Sequence, residues 1–120
     1  MARILLADDD MAIRDLVRRA LEADGHSVEA TEDGAEALER LARGRDRFDL
    51  IVTDVQMPAL DGISLAEQAL KLDPGLRILL MSGYADALQR ASSFKAAKLG
   101  TILKPFTLDQ IRALVRTTLS

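Results

Sequence analysis

The sequence has no cysteine and no tryptophan, and Tyr84 and three phenylalanines are its only aromatics. The absence of thiols excludes disulfides, thiol catalysis and thiolate-bound zinc. A single histidine, His26, excludes a histidine-clustered metal site; His26 and Phe48 read as structural or surface residues. With 3% aromatics the core must be aliphatic. Basic charge is also scarce: 16 Lys and Arg stand against 19 Asp and Glu, which is no footprint for nucleic acid. No apolar run approaches the roughly 20 residues of a membrane span. The start, Met1-Ala2-Arg3-Ile4, lacks the charged and long apolar regions of a signal peptide, so the expected location is the cytoplasm.

What is present is enough for one folded domain over residues 1–120: 48% of residues are hydrophobic, with no linker, repeat or low-complexity stretch. Short apolar runs alternate with helical stripes. Ile4-Leu5-Leu6-Ala7 reads as a strand, and Ile13, Leu16, Val17, Ala20 and Leu21 as the buried stripe of a helix ended by Gly25. Val28 lies in a second strand. Asp33, with Glu36 three residues on, can cap a second helix carrying Leu38, Leu41 and Ala42. Leu50-Ile51-Val52 is a third strand, and Ile63, Ala66, Ala69 and Leu70 mark a third helix. Ile78-Leu79-Leu80-Met81 is a fourth strand. The helix expected over Asp86–Lys98 is the weakest, since Ser92-Ser93 interrupts a stripe of Leu88, Ala91 and Ala97. Thr101-Ile102-Leu103 is a fifth strand, and Thr107 with Gln110 forms a capping box for the last helix.

This is a (βα)5 pattern in the α/β class. The first, third and fourth strands are apolar at successive positions, so both faces of the sheet must be covered, as in a parallel sheet between two helix layers. A doubly wound sheet of order 2-1-3-4-5 binds ligands at the carboxyl ends of its strands, between the first and third. Those ends carry Asp8-Asp9-Asp10, Asp54, Ser82 and Lys104. Taken singly, each has an ordinary explanation: Asp10 as a helix cap, Asp54 and Ser82 as turn residues, Lys104 as surface. Gathered on one rim, the carboxylates repel one another and call for a cation, and an all-oxygen donor set favours Mg²⁺. A carboxylate beside Mg²⁺, with an ammonium and a hydroxyl in reach, suits phosphoryl transfer onto the carboxylate itself.

Asp8-Asp9, Asp54-Val55-Gln56-Met57-Pro58-Ala59-Leu60-Asp61-Gly62, Met81-Ser82-Gly83-Tyr84 and Lys104-Pro105-Phe106 resemble the motifs of the receiver domain of two-component response regulators, which has a flavodoxin-like fold. The resemblance runs the length of the chain. It implies that Asp54 accepts the phosphoryl group and that the protein is a phosphoacceptor that assists its own phosphorylation and dephosphorylation, not a dedicated enzyme. It implies Asp9 as a direct Mg²⁺ ligand, Asp8 as a ligand through water, Asp54 itself and the Gln56 backbone carbonyl as further ligands. Ser82 and Lys104 would contact the phosphoryl oxygens, and the Lys104–Pro105 peptide bond would be cis. The donor would be a histidine kinase or a histidine phosphotransfer protein. In the loop after Asp54, Gly62 is expected to use its freedom for positive φ. The sequence departs from the family at Thr101, where many receivers carry an aromatic switch residue. Tyr84, two residues after Ser82, could instead shield the phosphoryl group.

Met1–Ala7 and Ser82-Gly83-Tyr84-Ala85-Asp86 also resemble the CpdR-type single-domain regulators, whose output is Clp-controlled proteolysis. Nothing in the sequence follows the fifth helix, so no output domain is expected; a protein partner would dock on the helix 4–strand 5–helix 5 face, whose strands end in Ser82 and Lys104, and the likeness implies a protease adaptor or Clp-type unfoldase. Three rival readings fit the residues less well. A haloacid-dehalogenase phosphatase needs Thr where Ala12 stands. A flavodoxin needs a Ser/Thr/Gly-rich loop after the first strand. A receiver-like module that is never phosphorylated would usually have lost one of Asp8, Asp9 or Asp54.

Overall fold

The structure is a computed structural model and describes residues 1–44, 47–91, 96 and 98–120. Among the described residues, five strands alternate with five helices: β1 (Arg3–Ala7), α1 (Met11–Ala23), β2 (Ser27–Thr31), α2 (Gly34–Arg43), β3 (Leu50–Asp54), α3 (Gly62–Leu72), β4 (Arg77–Ser82), α4 (Ala85–Arg90), β5 (Leu99–Leu103) and α5 (Leu108–Leu119). They form one parallel sheet in the order β2-β1-β3-β4-β5. No helix among the described residues is long and apolar enough to cross a membrane.

The unbroken apolar runs are explained by two cores. Leu5, Ala7, Ile51, Ile78 and Leu80 face one layer, built from α2, α3 and α4 through Ala37, Leu65, Ala66, Ala69 and Ala87. Ile4, Leu6, Leu50, Val52, Leu79 and Met81 face the other, against Val17 and Leu21 of α1 and Ile111 and Val115 of α5. Alternate residues of each strand thus enter opposite layers, and both kinds must be apolar. Each fully buried Leu or Ile contributes about 1.5–3 kcal/mol by leaving water.

Helix starts follow the capping residues. Asp10 accepts the Ala12 and Ile13 N–H groups, Asp33 accepts that of Glu36, and Asp61 that of Ser64. Thr107 and Gln110 close a reciprocal capping box. Gly25, at φ 91°, follows the end of α1. His26 Nδ1 accepts the Ala2 N–H at 3.2 Å, and the Arg3 guanidinium lies 4.8 Å from the centroid of the buried Phe48 ring.

Two details differ from the sequence reading. Leu16 is 52% exposed: the α1 stripe is narrower than its spacing suggests, and Leu16 falls beside the sheet, lining a cavity of about 320 Å³ with Ile13, Pro105, Phe106 and Leu108. Gly62 does not take positive φ; Ala59 does, at 68°. Gly62 serves a different need, because a Cβ there would collide with the Asp54 carbonyl against which α3 begins. The described part of the fourth helix ends at Arg90, and Ser92, Ser93 and Ala97 lie outside the described residues. Within α4, Ala87 and nearby Ala91 are buried, and Tyr84 occupies the cap position without a side-chain cap bond.

Candidate functional site

The carboxyl ends of β1, β3, β4 and β5 meet at one rim of the sheet. Parallel registry sets them level: Asp54 pairs with Met81, and Ser82 with Leu103. The Val55 N–H donates to the Met81 carbonyl at 2.9 Å, and the Lys104 N–H to the Ser82 carbonyl at 2.8 Å. The strand-ending side chains therefore emerge side by side.

Asp8, Asp9 and Asp54 each bring a carboxylate oxygen within 4.8 Å of the other two. Asp8 is fully buried, Asp54 is 6% exposed and Asp9 faces solvent. Lys104 spans the first two, with Nζ 3.2 Å from Asp8 Oδ2 and 3.3 Å from Asp54 Oδ1. The other Asp8 oxygen, Oδ1, accepts the Asp10 N–H at 2.9 Å, and the Asp8 carbonyl accepts from Arg14 Nη1 at 2.9 Å. The triplet thus divides its labour. Asp8 is tied into the frame, Asp10 caps α1, and Asp9 is left at the open mouth.

Burial, followed by the Asp8 charge, pushes the Asp54 carboxyl up to about 6, against a partial opposing pull from Lys104. For Lys104, burial works to lower the ammonium's value, but the Asp8 and then the Asp54 carboxylate outweigh it and hold it above the ordinary range. Lys104 is therefore a fixed cation at neutral pH, and Asp54 is ionised yet unusually basic for an aspartate. Three carboxylates against one ammonium leave excess negative charge, and every candidate ligand atom is an oxygen. Such a set fits a hard divalent cation.

The remaining candidates surround this cluster. Ser82 is buried, and its hydroxyl donates to Gln56 Oε1 at 2.9 Å while accepting the Tyr84 N–H at 3.0 Å. Tyr84 is 66% exposed in the turn between β4 and α4. Thr101 is exposed on the edge strand β5, paired in register with Leu80. The Lys104–Pro105 peptide bond is cis. A cavity of about 630 Å³ opens beside Asp9, lined also by Gln56, Pro58, Asp61 and Arg90. Arg14, the Gln56 side chain and Arg90 escaped the sequence reading. Arg14 had a weak signal, one helical turn past the Asp10 cap; the other two had none, because their position depends on how α4 and the β3–α3 loop fold over the rim.

Residues 4–116 match the response regulator receiver domain. The chain belongs to the response regulator receiver family. The response regulator MprA of Mycobacterium leprae is 40% identical over 117 residues, covering 98% of this chain and 50% of that protein, and MprA of Mycobacterium avium is 38% identical over the same span. This receiver chain spans about half the length of the curated relatives it matches. Among solved structures, a response regulator receiver protein from Sinorhizobium medicae superposes with a TM-score of 0.87 at 30% identity, covering 98% of this chain and 94% of that one. The chemotaxis protein CheY4 of Vibrio cholerae gives 0.87 at 28% identity, with 99% of both chains covered. The response regulator TrrA of Thermotoga maritima, solved in complex with Mg²⁺ and BeF, gives 0.85 at 29% identity, over 99% of this chain and 100% of that one. The parallel sheet of order 2-1-3-4-5 is thus the one expected, and the receiver fold is the one the motif resemblance implies.

Proposed function

We propose that this receiver accepts a phosphoryl group on Asp54 in an Mg²⁺-dependent reaction, and that the phosphorylated form signals by changing which protein it binds. The observation that carries the reading is the cluster itself: a basic aspartate bridged through Lys104 to a buried second carboxylate, with a third at the mouth. The donor is a phosphohistidine on a histidine kinase or a phosphotransfer protein. An Asp54 oxygen attacks phosphorus, the P–N bond to the donor imidazole breaks, and an aspartyl-phosphate forms. Lys104 holds its charge against a phosphoryl oxygen, and the Ser82 hydroxyl donates to another. The carboxylates of Asp8, Asp9 and Asp54, with the Gln56 backbone carbonyl, would hold the metal, whose chemistry is to neutralise charge on the phosphoryl oxygens. The engaged oxygens of Asp8 favour a ligand role through water, and the exposure of Asp9 favours a direct one.

Residues 1–120 act as one receiver domain in the cytoplasm. The downstream partner docks on the α4–β5–α5 face. The stretches 1–7 and 82–86 that resemble CpdR-type regulators point to a protease adaptor or a Clp-type unfoldase. With no aromatic at Thr101, Tyr84 is the residue we assign to cover the phosphoryl group. The alternative of an unphosphorylated interaction module is disfavoured because the acidic set and Lys104 are all kept. Incubation with acetyl phosphate and Mg²⁺ should add the mass of one phosphoryl group to the wild type and none to Asp54→Asn. Equal gain in both, or gain undiminished by EDTA, overturns the assignment.

A further inference from the structure

We propose that the Gln56 side chain is a latch that holds the Ser82 hydroxyl in its resting position and competes with the phosphoryl group for its proton. The inference rests on the phosphoacceptor reading above and adds a positioning residue to it. Ser82 is completely buried, and its hydroxyl bonds two neighbours, donating to the Gln56 amide oxygen at 2.9 Å and accepting from the Tyr84 N–H at 3.0 Å. A serine hydroxyl owns one proton. With the Tyr84 N–H directed at the oxygen's lone pairs, that proton goes to Gln56 Oε1. It cannot at the same time serve a phosphoryl oxygen on Asp54, so the Gln56 bond must break before Ser82 can turn inward.

Gln56 is well placed to let go. It is exposed, two residues past Asp54, and borders two open cavities of about 630 and 670 Å³. Its amide can swing into solvent without disturbing the core, and water then replaces the lost bond. Release is also felt beyond the site. Tyr84, whose N–H rests on the Ser82 oxygen, is the cap residue of α4 and has no side-chain cap bond. Moving the Ser82 oxygen therefore alters the support of the α4 entrance, on the face proposed to meet the partner. In this scheme Gln56 sets how strongly the resting state resists switching.

The test uses the full chain, Gln56→Met, Ser82→Ala and the double variant. Met keeps the length of the side chain and removes the acceptor. Beryllofluoride with saturating Mg²⁺ is the probe, its apparent affinity being measured by titration. A net hydrogen bond is worth about two- to tenfold in an equilibrium. Gln56→Met should therefore bind beryllofluoride tighter than the wild type by about that factor, and the gain should vanish in the Ser82→Ala background. Without any ligand, the Tyr84 amide should exchange with solvent faster in Gln56→Met, because its acceptor is no longer anchored. Wild-type binding with no gain in Gln56→Met overturns the latch alone, as does a gain of equal size with Ser82→Ala. Failure of the wild type to bind beryllofluoride overturns the phosphoacceptor reading and the latch with it.

Discussion

Replacing Asp54 by Asn should make the folded chain more stable at pH 8, and the gain should fade as the solution is acidified. The carboxyl sits at about 6 in the fold against an ordinary 3.8, chiefly because burial and the Asp8 charge disfavour ionisation. Its side chain is only 8% exposed, so solvent does little to erase the effect. A raised value means that the folded chain binds this proton more tightly than the unfolded chain does. Between pH 4 and 6 the folded state therefore carries the extra proton, and stability falls as pH rises through that window. Each tenfold change in the ionisation constant costs about 1.4 kcal/mol, so the charged carboxylate destabilises the fold by about 3 kcal/mol above pH 7 and by about half that at pH 5. The attraction of Lys104 is already inside this net figure. Asn has nearly the same shape and no charge, and should recover most of the difference. Urea unfolding followed by far-ultraviolet circular dichroism, with EDTA present, measures it at pH 4, 5, 6 and 8. A loss of stability at pH 8, or a gain that does not change with pH, would refute the reasoning and mean that Lys104 outweighs burial.

Mg²⁺ titrations should rank the two leading aspartates: Asp8→Asn is expected to weaken binding about tenfold as an outer partner, and Asp9→Asn by more. The reverse order would exchange their roles. In the β3–α3 loop, Ala59→Gly should stabilise by about 1 kcal/mol by relieving a left-handed alanine, whereas Gly62→Ala should destabilise by about 1–3 kcal/mol because its methyl meets the Asp54 carbonyl. Thermal melts of the two variants moving in the same direction would contradict this. Amide exchange with and without beryllofluoride should change most over residues 83–91, where the start of α4 lacks a side-chain cap. Changes confined to α1 and α2 would place the output face elsewhere.

The sheet was legible because each strand is a local signal: a strand apolar on successive residues between capped helices admits few arrangements. Helix starts were equally plain, since Asp10, Asp33 and Thr107 cap within three residues of themselves. The rim was foreseeable by topology, because parallel strands deliver their last residues to one edge. Contacts set by the third dimension were not legible. Leu16 has the spacing of a core residue and lies beside the core. Positive φ was expected at the obvious residue, Gly62, whereas packing of α3 on the end of β3 shifts it to Ala59. The Ser82–Gln56 bond joins residues 26 apart in the chain, and nothing in the local pattern of either foretells it.

The scarcity of aromatic residues has a practical corollary at the rim. Tyr84 is the only tyrosine and there is no tryptophan, so tyrosine emission from this chain originates at one ring, in a residue whose backbone N–H rests on the Ser82 hydroxyl. The chain carries an optical reporter in the turn between the proposed phosphoacceptor site and α4. Titrations of metal or a non-aromatic phosphodonor can be followed there in the unlabelled wild-type protein, with excitation above the phenylalanine absorption band.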